Sequence, residues 1–177
     1  EKLEIAAALD QMGVGFIELP APKNVQDTLL LKALSATLKS AALSVRTPLA
    51  TDGVDETWAA VRDAARSRLT VFVPLSPMQL EYQCHKKPKA VPEMVKALVS
   101  RCREMGADTA FVAGDATRAE QSLLSDAVKT AIAAGAQTII FSDDLGQALP
   151  EEFAAFISGL FEKLPELKQV SVGVSCQ

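Results

Sequence analysis

The sequence predicts an α/β fold of alternating helix and strand units around a parallel sheet. Three observations carry this. The segments "QMGVGFIEL" from Gln11, "EMGADTAFV" from Glu104 and "AAGAQTIIF" from Ala133 each place a glycine where a helix stops, then two or three connecting residues, then a short apolar run. Glycine accepts the left-handed conformation that closes a helix, so one kind of helix-to-strand joint is used three times. Six short apolar runs are separated by helical patterns, and they lack strict alternation, which is how parallel strands buried on both faces read.

Each element has its own signal. Ile5, Leu9 and Met12 recur at i, i+4 and i+7, predicting a first helix with an apolar stripe toward a sheet, and a strand follows near 14–19. Asn24 opens a helix over 26–37, since its short side chain can accept a hydrogen bond from a free helical N–H, and a strand follows at 41–46. A helix over 54–66, with Asp52 and Asp55 near its start, leads to a strand at 70–75. Val95, Leu98, Val99 and Cys102 form the next stripe, before a strand at 108–113. Leu124, Val128 and Ala131 precede a strand at 137–141, and Phe153, Ile157, Leu160 and Leu164 precede one at 169–174.

Strict alternation of this kind leaves two architectures, a doubly wound open sheet or a (β/α)8 barrel. No G-x-G-x-x-G follows a strand and no G-x-x-x-x-G-K-[ST] loop occurs, which disfavours nucleotide binding. Polar residues gather just after the strands, where barrel enzymes keep their chemistry: Glu18, Arg46, Ser76, Asp115 with Arg118, Asp143 with Asp144, and Ser175 to Gln177. This favours the barrel.

With 177 residues, 49% hydrophobic and 23% charged, the chain reads as one domain spanning 1–177. A net charge of −4 and a pI near 5.1 give no electrostatic footprint for nucleic acid, and "HKKPK" at 85–89 reads as a solvated loop. Cys84, Cys102 and Cys176 are odd in number and far apart, so neither a disulfide framework nor a zinc knuckle is indicated, and a reducing cytoplasmic location is expected. No apolar run approaches the roughly 20 residues that span a bilayer, so no membrane association is expected.

Four stretches, "EKLEIAAALDQMGVGFIELPAP", "SPMQLEYQ", "GDATRAEQSLLSDAVKTAIAAGAQTIIFSDDLG" and the closing "VSVGVSCQ", have the order and spacing of a known family. The chain resembles the metallolyase barrels that include isopropylmalate, homocitrate and citramalate synthases and hydroxymethylglutaryl-CoA lyase. The D-A-T-R turn at 115–118 and the helix-glycine-strand joint before Ile139 are its most specific parts. The resemblance implies a TIM-type (β/α)8 barrel of which this chain covers about the first helix to the seventh strand. A homo-oligomer contact or a further segment is then expected to complete the barrel and cover its apolar edges.

In the family, as the resemblance implies, a divalent metal polarises a 2-oxo acid carbonyl and a base forms the acetyl-CoA enolate for a Claisen condensation. An R-D-G-x-Q motif on the first barrel strand supplies a metal-binding aspartate, and H-x-H ends the seventh. The histidine positions match Ser175 and Gln177, weak neutral oxygen donors, so no metal and no other cofactor is expected there. The glutamate of S-P-E-D-A-T-R matches Gly114, the threonine of D-T-V-G matches Asp144, and a common histidine after the fourth barrel strand matches Gln79. A carboxylate at 144 repels an anionic 2-oxo acid.

Glu18 and Arg46 are candidates to orient a substrate, or an ion pair in the barrel mouth. Asp115 and Arg118, with Gln79, are candidate ligand contacts, the alternative being a turn in which Asp115 caps the next helix. Asp143 and Asp144 are candidate catalytic acids that can hold Mg²⁺ with water, or lie in a solvated loop with one aspartate capping. His85 reads as a surface residue and Cys176 as a packed thiol. Three functions follow: a synthase-type barrel that has lost its metal site and most of its inherited activity, a non-catalytic barrel binding a small molecule or a partner, or a divergent Mg²⁺-dependent enzyme using Asp143 and Asp144.

Overall fold

The computed structural model describes residues 1–176; Gln177, one of the two matched histidine positions, lies outside the described residues. Six strands, β1 (Phe16–Leu19), β2 (Ala42–Arg46), β3 (Ser67–Pro74), β4 (Asp108–Gly114), β5 (Thr138–Asp143) and β6 (Ser171–Cys176), form one sheet in sequence order. Every pairing is parallel. α1 (Lys2–Gln11) precedes them, and between them run α2 (Val25–Thr37), α3 (Thr51–Val61), the short α4 (Pro77–Gln79), α5 (Val91–Glu104), α6 (Gln121–Ala133) and α7 (Pro150–Lys163). Consecutive parallel strands joined by helices make the arc of a (β/α)8 barrel.

The three glycine joints form as the sequence predicts. Gly13, Gly106 and Gly135 have φ of 81°, 79° and 104°, each just beyond a helix, in the region where an L side chain is strained. Asn24 caps α2, its side chain accepting from Asp27 N–H at 2.9 Å. The start of α3 differs from expectation: the helix begins at Thr51, and its N-cap Ala50 offers no side-chain cap. Asp55 instead receives two hydrogen bonds from Arg101, at 2.8 and 2.7 Å, tying α3 to α5.

The strands alternate in a way the apolar runs conceal. Leu43 and Val45, Leu69, Val71 and Val73, Phe111 and Ala113, and Ile139 and Phe141 are fully buried under the helices with Val95, Leu98, Val99 and Leu124. Each large side chain so buried contributes about 1.5–3 kcal/mol. Their neighbours in the strand sequence, Ser44 and Arg46, Arg68, Thr70 and Phe72, and Thr138 and Ser142, belong to the opposite, concave face by the register of the pairing. That face is stitched by polar contacts: Ser44 and Thr70 hydroxyls 2.9 Å apart, and Arg68 Nε donating to Asp108 at 2.8 Å while its guanidinium lies 4.1 Å from the Phe16 ring centroid.

The α1 stripe is a correction. Ile5 and Met12 are 53% and 78% exposed, and Ala6 is the residue of α1 that is buried. The helix covers the flank of β1, the sheet edge, and leaves a shallow apolar depression with Leu9, Ile17 and Leu19. A similar depression lies beside β6, between Phe153, Ile157, Val174 and Cys176. What anchors α1 is polar: the Asp10 carboxylate accepts from the N–H groups of Lys39, Ser40 and Ala41 at 3.0, 3.0 and 2.6 Å and from the Ser40 hydroxyl at 2.7 Å.

Candidate functional site

The C-terminal ends of parallel strands leave a row of side chains at the mouth of the arc, and Glu18, Arg46, Phe72, Ser142, Asp144 and Ser175 line one cavity there of about 320 Å³. Val112 and Ile140 form its apolar floor. The sequence reading brought together Glu18, Arg46, Asp144 and Ser175; it missed Phe72, whose place in an apolar strand gave no hint that its ring belongs to the concave face.

Glu18 and Arg46 are an ion pair, Nε to Oε1 2.8 Å, formed because β1 and β2 set their ends side by side. The Arg46 guanidinium also lies 4.5 Å from the centroid of the Phe72 ring, a cation–π contact. The ring in turn rests against the backbone of Gly114 on β4, since a Cβ built on Gly114 comes 2.5 Å from Phe72 Cζ. On its other side Phe72 walls a second cavity of about 230 Å³ with Thr47, Leu49 and Cys84.

Asp115 does not cap a helix. It has a left-handed backbone, φ 52°, with no solvent access to its side chain, and both its oxygens take hydrogen bonds from the Arg118 guanidinium. Burial is the largest single influence on Asp115 and opposes its charge, but the hydrogen bonds and charge of Arg118, with the Ser76 hydroxyl, together outweigh it and hold the carboxyl below its usual range. The same bonds hold Arg118 above its ordinary value, with the fields of Asp143 and Asp144 adding to them. The pair is therefore a locked turn at the end of β4.

Asp143 and Asp144 point apart, as successive residues at a strand end do. Asp143 is 2% exposed, not solvated, and accepts from Ala148 N–H at 2.9 Å and the Thr117 hydroxyl at 3.3 Å, organising the loop after β5. Asp144 faces the cavity and accepts from the Ser142 hydroxyl and from Gln79 Nε2, the latter at 3.4 Å. Gln79 is thus brought to Asp144 from α4, 65 residues earlier in the chain. Its Oε1 is buried without a hydrogen-bond donor.

At the tip of β6, Ser175 pairs in register with Ser142 on β5, placing two hydroxyls on the cavity wall. Among the described residues no three His, Cys, Asp or Glu side chains converge as a metal site. His85 is exposed, with a left-handed φ of 50°. Cys176 is a correction: it is exposed on the open flank of the edge strand β6 and is not packed in the core. No helix among the described residues is long and apolar enough to cross a membrane.

Fold and site together define a (β/α)8-type barrel with a polar pocket at the carboxyl ends of its strands, the arrangement of barrel enzymes. The HMGL-like family model matches residues 1–176, and the chain belongs to that family. It is 33% identical over 177 residues to the 2-isopropylmalate synthase of Syntrophus aciditrophicus (strain SB), covering 99% of this chain and 34% of that protein. Its likeness to the 2-isopropylmalate synthase of Nitrobacter hamburgensis is of the same extent, 33% identity over 99% of this chain and 34% of the relative. The chain spans about a third of the length of these relatives. Among solved structures, the HMG-CoA lyase of Bacillus subtilis superposes with a TM-score of 0.73 at 12% identity, over 97% of this chain and 61% of the lyase. That of Brucella melitensis gives 0.67 at 12% identity, over 98% and 72%. These structural likenesses speak for the barrel fold.

Proposed function

We propose that this chain is an isopropylmalate/homocitrate synthase-like barrel segment whose mouth binds a small molecule without carrying out the metal-dependent Claisen condensation of its relatives. The observation that carries the reading is the occupation of the position beside residue 114. In the resemblance to the synthases an acid stands at this residue; here it is glycine, and the Phe72 ring fills the space into which a side chain would project.

The donor set supports the same reading. The group the family implies is a divalent metal, and the groups that face the cavity from the ends of β5 and β6 among the described residues are the hydroxyls of Ser142 and Ser175 and the carboxylate of Asp144, Asp143 being turned to the following loop. Hydroxyls are neutral, poor ligands for a transition metal, so these residues do not fit one. The Glu18 and Arg46 charges are spent on each other, and Asp144 repels the carboxylate of a 2-oxo acid.

The test is direct. The full-length protein is given acetyl-CoA with 2-oxoisovalerate, 2-oxoglutarate or pyruvate and Mn²⁺, Zn²⁺ or Mg²⁺, and free thiol is followed. No metal-dependent CoA release is expected, and calorimetry should detect no stoichiometric metal bound by Ser175 and Gln177. CoA release with any of these acids, or micromolar metal binding abolished by Gln177→Ala, overturns the reading in favour of a working synthase.

A further inference from the structure

We infer that the mouth cavity is a site for a small organic cation bearing a primary ammonium group, with Asp144 as its counter-charge. This deepens the small-molecule reading above by naming the ligand class.

Charge comes first. Three charged side chains line the cavity, and two of them, Glu18 and Arg46, neutralise each other at 2.8 Å while Arg46 is further held over the Phe72 ring. The nearby Arg118 is committed to Asp115 through one bidentate edge, Nε and one terminal nitrogen. Asp144 therefore brings to the cavity a negative charge with no salt bridge among the described residues; its partners are the neutral Ser142 hydroxyl and Gln79 amide. Arg118 acts on Asp144 only as a field from beyond ion-pair distance, so this half-buried carboxylate is under-compensated, and a bound cation relieves that.

Hydrogen-bonding capacity points the same way. The Asp144 carboxylate and the Ser142 hydroxyl oxygen, both on the cavity wall, suit a ligand with several N–H donors, and an ammonium group has three. The Ser175 hydroxyl, set opposite Ser142 by the strand register, offers a further acceptor on the same wall. Phe72, Val112 and Ile140 supply an apolar surface for a short carbon chain, and 320 Å³ lies at the small end of ligand pockets. An anion finds no free positive group in this lining.

The experiment titrates the full-length protein with ethanolamine, 3-amino-1-propanol and 1,4-diaminobutane, using ethylene glycol, 1-butanol and 2-oxoisovalerate as neutral and anionic controls. Calorimetry and thermal melting are read in parallel. Saturable one-to-one binding of at least one amine is expected, with a rise in melting temperature. Asp144→Asn should weaken it about ten-fold or more, since a hydrogen bond to a charged group is worth about that factor, and Ser175→Ala should weaken it less. A far-ultraviolet spectrum matching the wild type shows that each variant is folded, and the wild-type titration stands by itself if one is not. No amine binding below about 10 mM, undiminished affinity in folded Asp144→Asn, or tighter binding of 2-oxoisovalerate overturns the proposal. Metal-dependent CoA release, by contrast, strikes only at the preceding reading, so the two failures are separable.

Discussion

The ring of Phe72 on β3 occupies the space that any side chain on Gly114 of β4 requires, with Cζ 2.5 Å from where a Cβ would stand. The two residues are near neighbours across the sheet because Phe72 pairs with Val112 and Pro74 with Gly114. Gly114 is also held by its carbonyl, which accepts from Leu75 N–H at 2.9 Å, so the backbone cannot easily yield.

It follows that Gly114→Ala should cost about 1–3 kcal/mol in a denaturant titration, the range for overpacking a filled space. In Phe72→Leu the space is relieved, and the same glycine substitution should cost at least about 1 kcal/mol less, a coupling of the size seen between touching side chains. A strictly additive double-mutant cycle would falsify the steric link. Gly114→Glu alone should behave like the alanine variant or worse and should not confer condensation activity.

The Asp115 and Arg118 pair makes a pH prediction. The folded-state carboxyl is held below its unfolded value, so its contribution is complete above about pH 4 and is lost as the pH falls below that value. Asp115→Asn should lower stability at pH 7 by about 1–3 kcal/mol, a moderate figure because Arg118 keeps partial access to water. The difference from wild type should shrink in acid. Denaturation curves at pH 7 and pH 3 measure it, and a constant difference would rule out the ion pair as its cause.

Asp10 gives a second acid-sensitive point at a different place. Hydrogen bonds from the N–H groups of Ala41 and Lys39 and from Ser40 hold its carboxyl far below the ordinary range. Its contribution is likewise present above about pH 4 and is lost on acidification. Hydrogen exchange should show the start of β2 and the end of α1 opening together in Asp10→Asn at neutral pH, while β4 and β5 stay protected. Uniform loss of protection would show that the clamp is not local.

The three thiols should separate cleanly in this chain. Cys102 is fully buried, and burial pushes its thiol up to about 12, so it should be inert to an aromatic disulfide at pH 7.5 until the protein unfolds. Cys84 is partly buried and its thiol is also raised, by burial, with Lys86 opposing. Cys176 is exposed and should react first. One fast, one slow and one silent thiol is the expected count; rapid reaction of Cys102 would contradict the packing of α5 on the sheet.

The sequence by itself determined the alternation of helices and strands, the three glycine joints and the cap at Asn24, because these depend on residues within a turn of one another. Gly13, Gly106 and Gly135 announce their positive φ wherever they stand, and Asn24 needs only Asp27 three residues on. The family resemblance, too, was legible in short motifs such as Asp115 to Arg118. The tertiary structure alone decided which of these residues share a cavity. Gln79 reaches Asp144 across 65 residues, Asp10 clamps a loop 29 to 31 residues away, and Phe72 fills the place beside Gly114. No local pattern encodes these contacts, since they arise from the register of parallel strands and the curvature that turns one face of the sheet inward. For the same reason the split between the two aspartates was hidden: adjacent in sequence, Asp143 and Asp144 lie on opposite sides of a strand end, one spent on a loop and the other turned to the cavity.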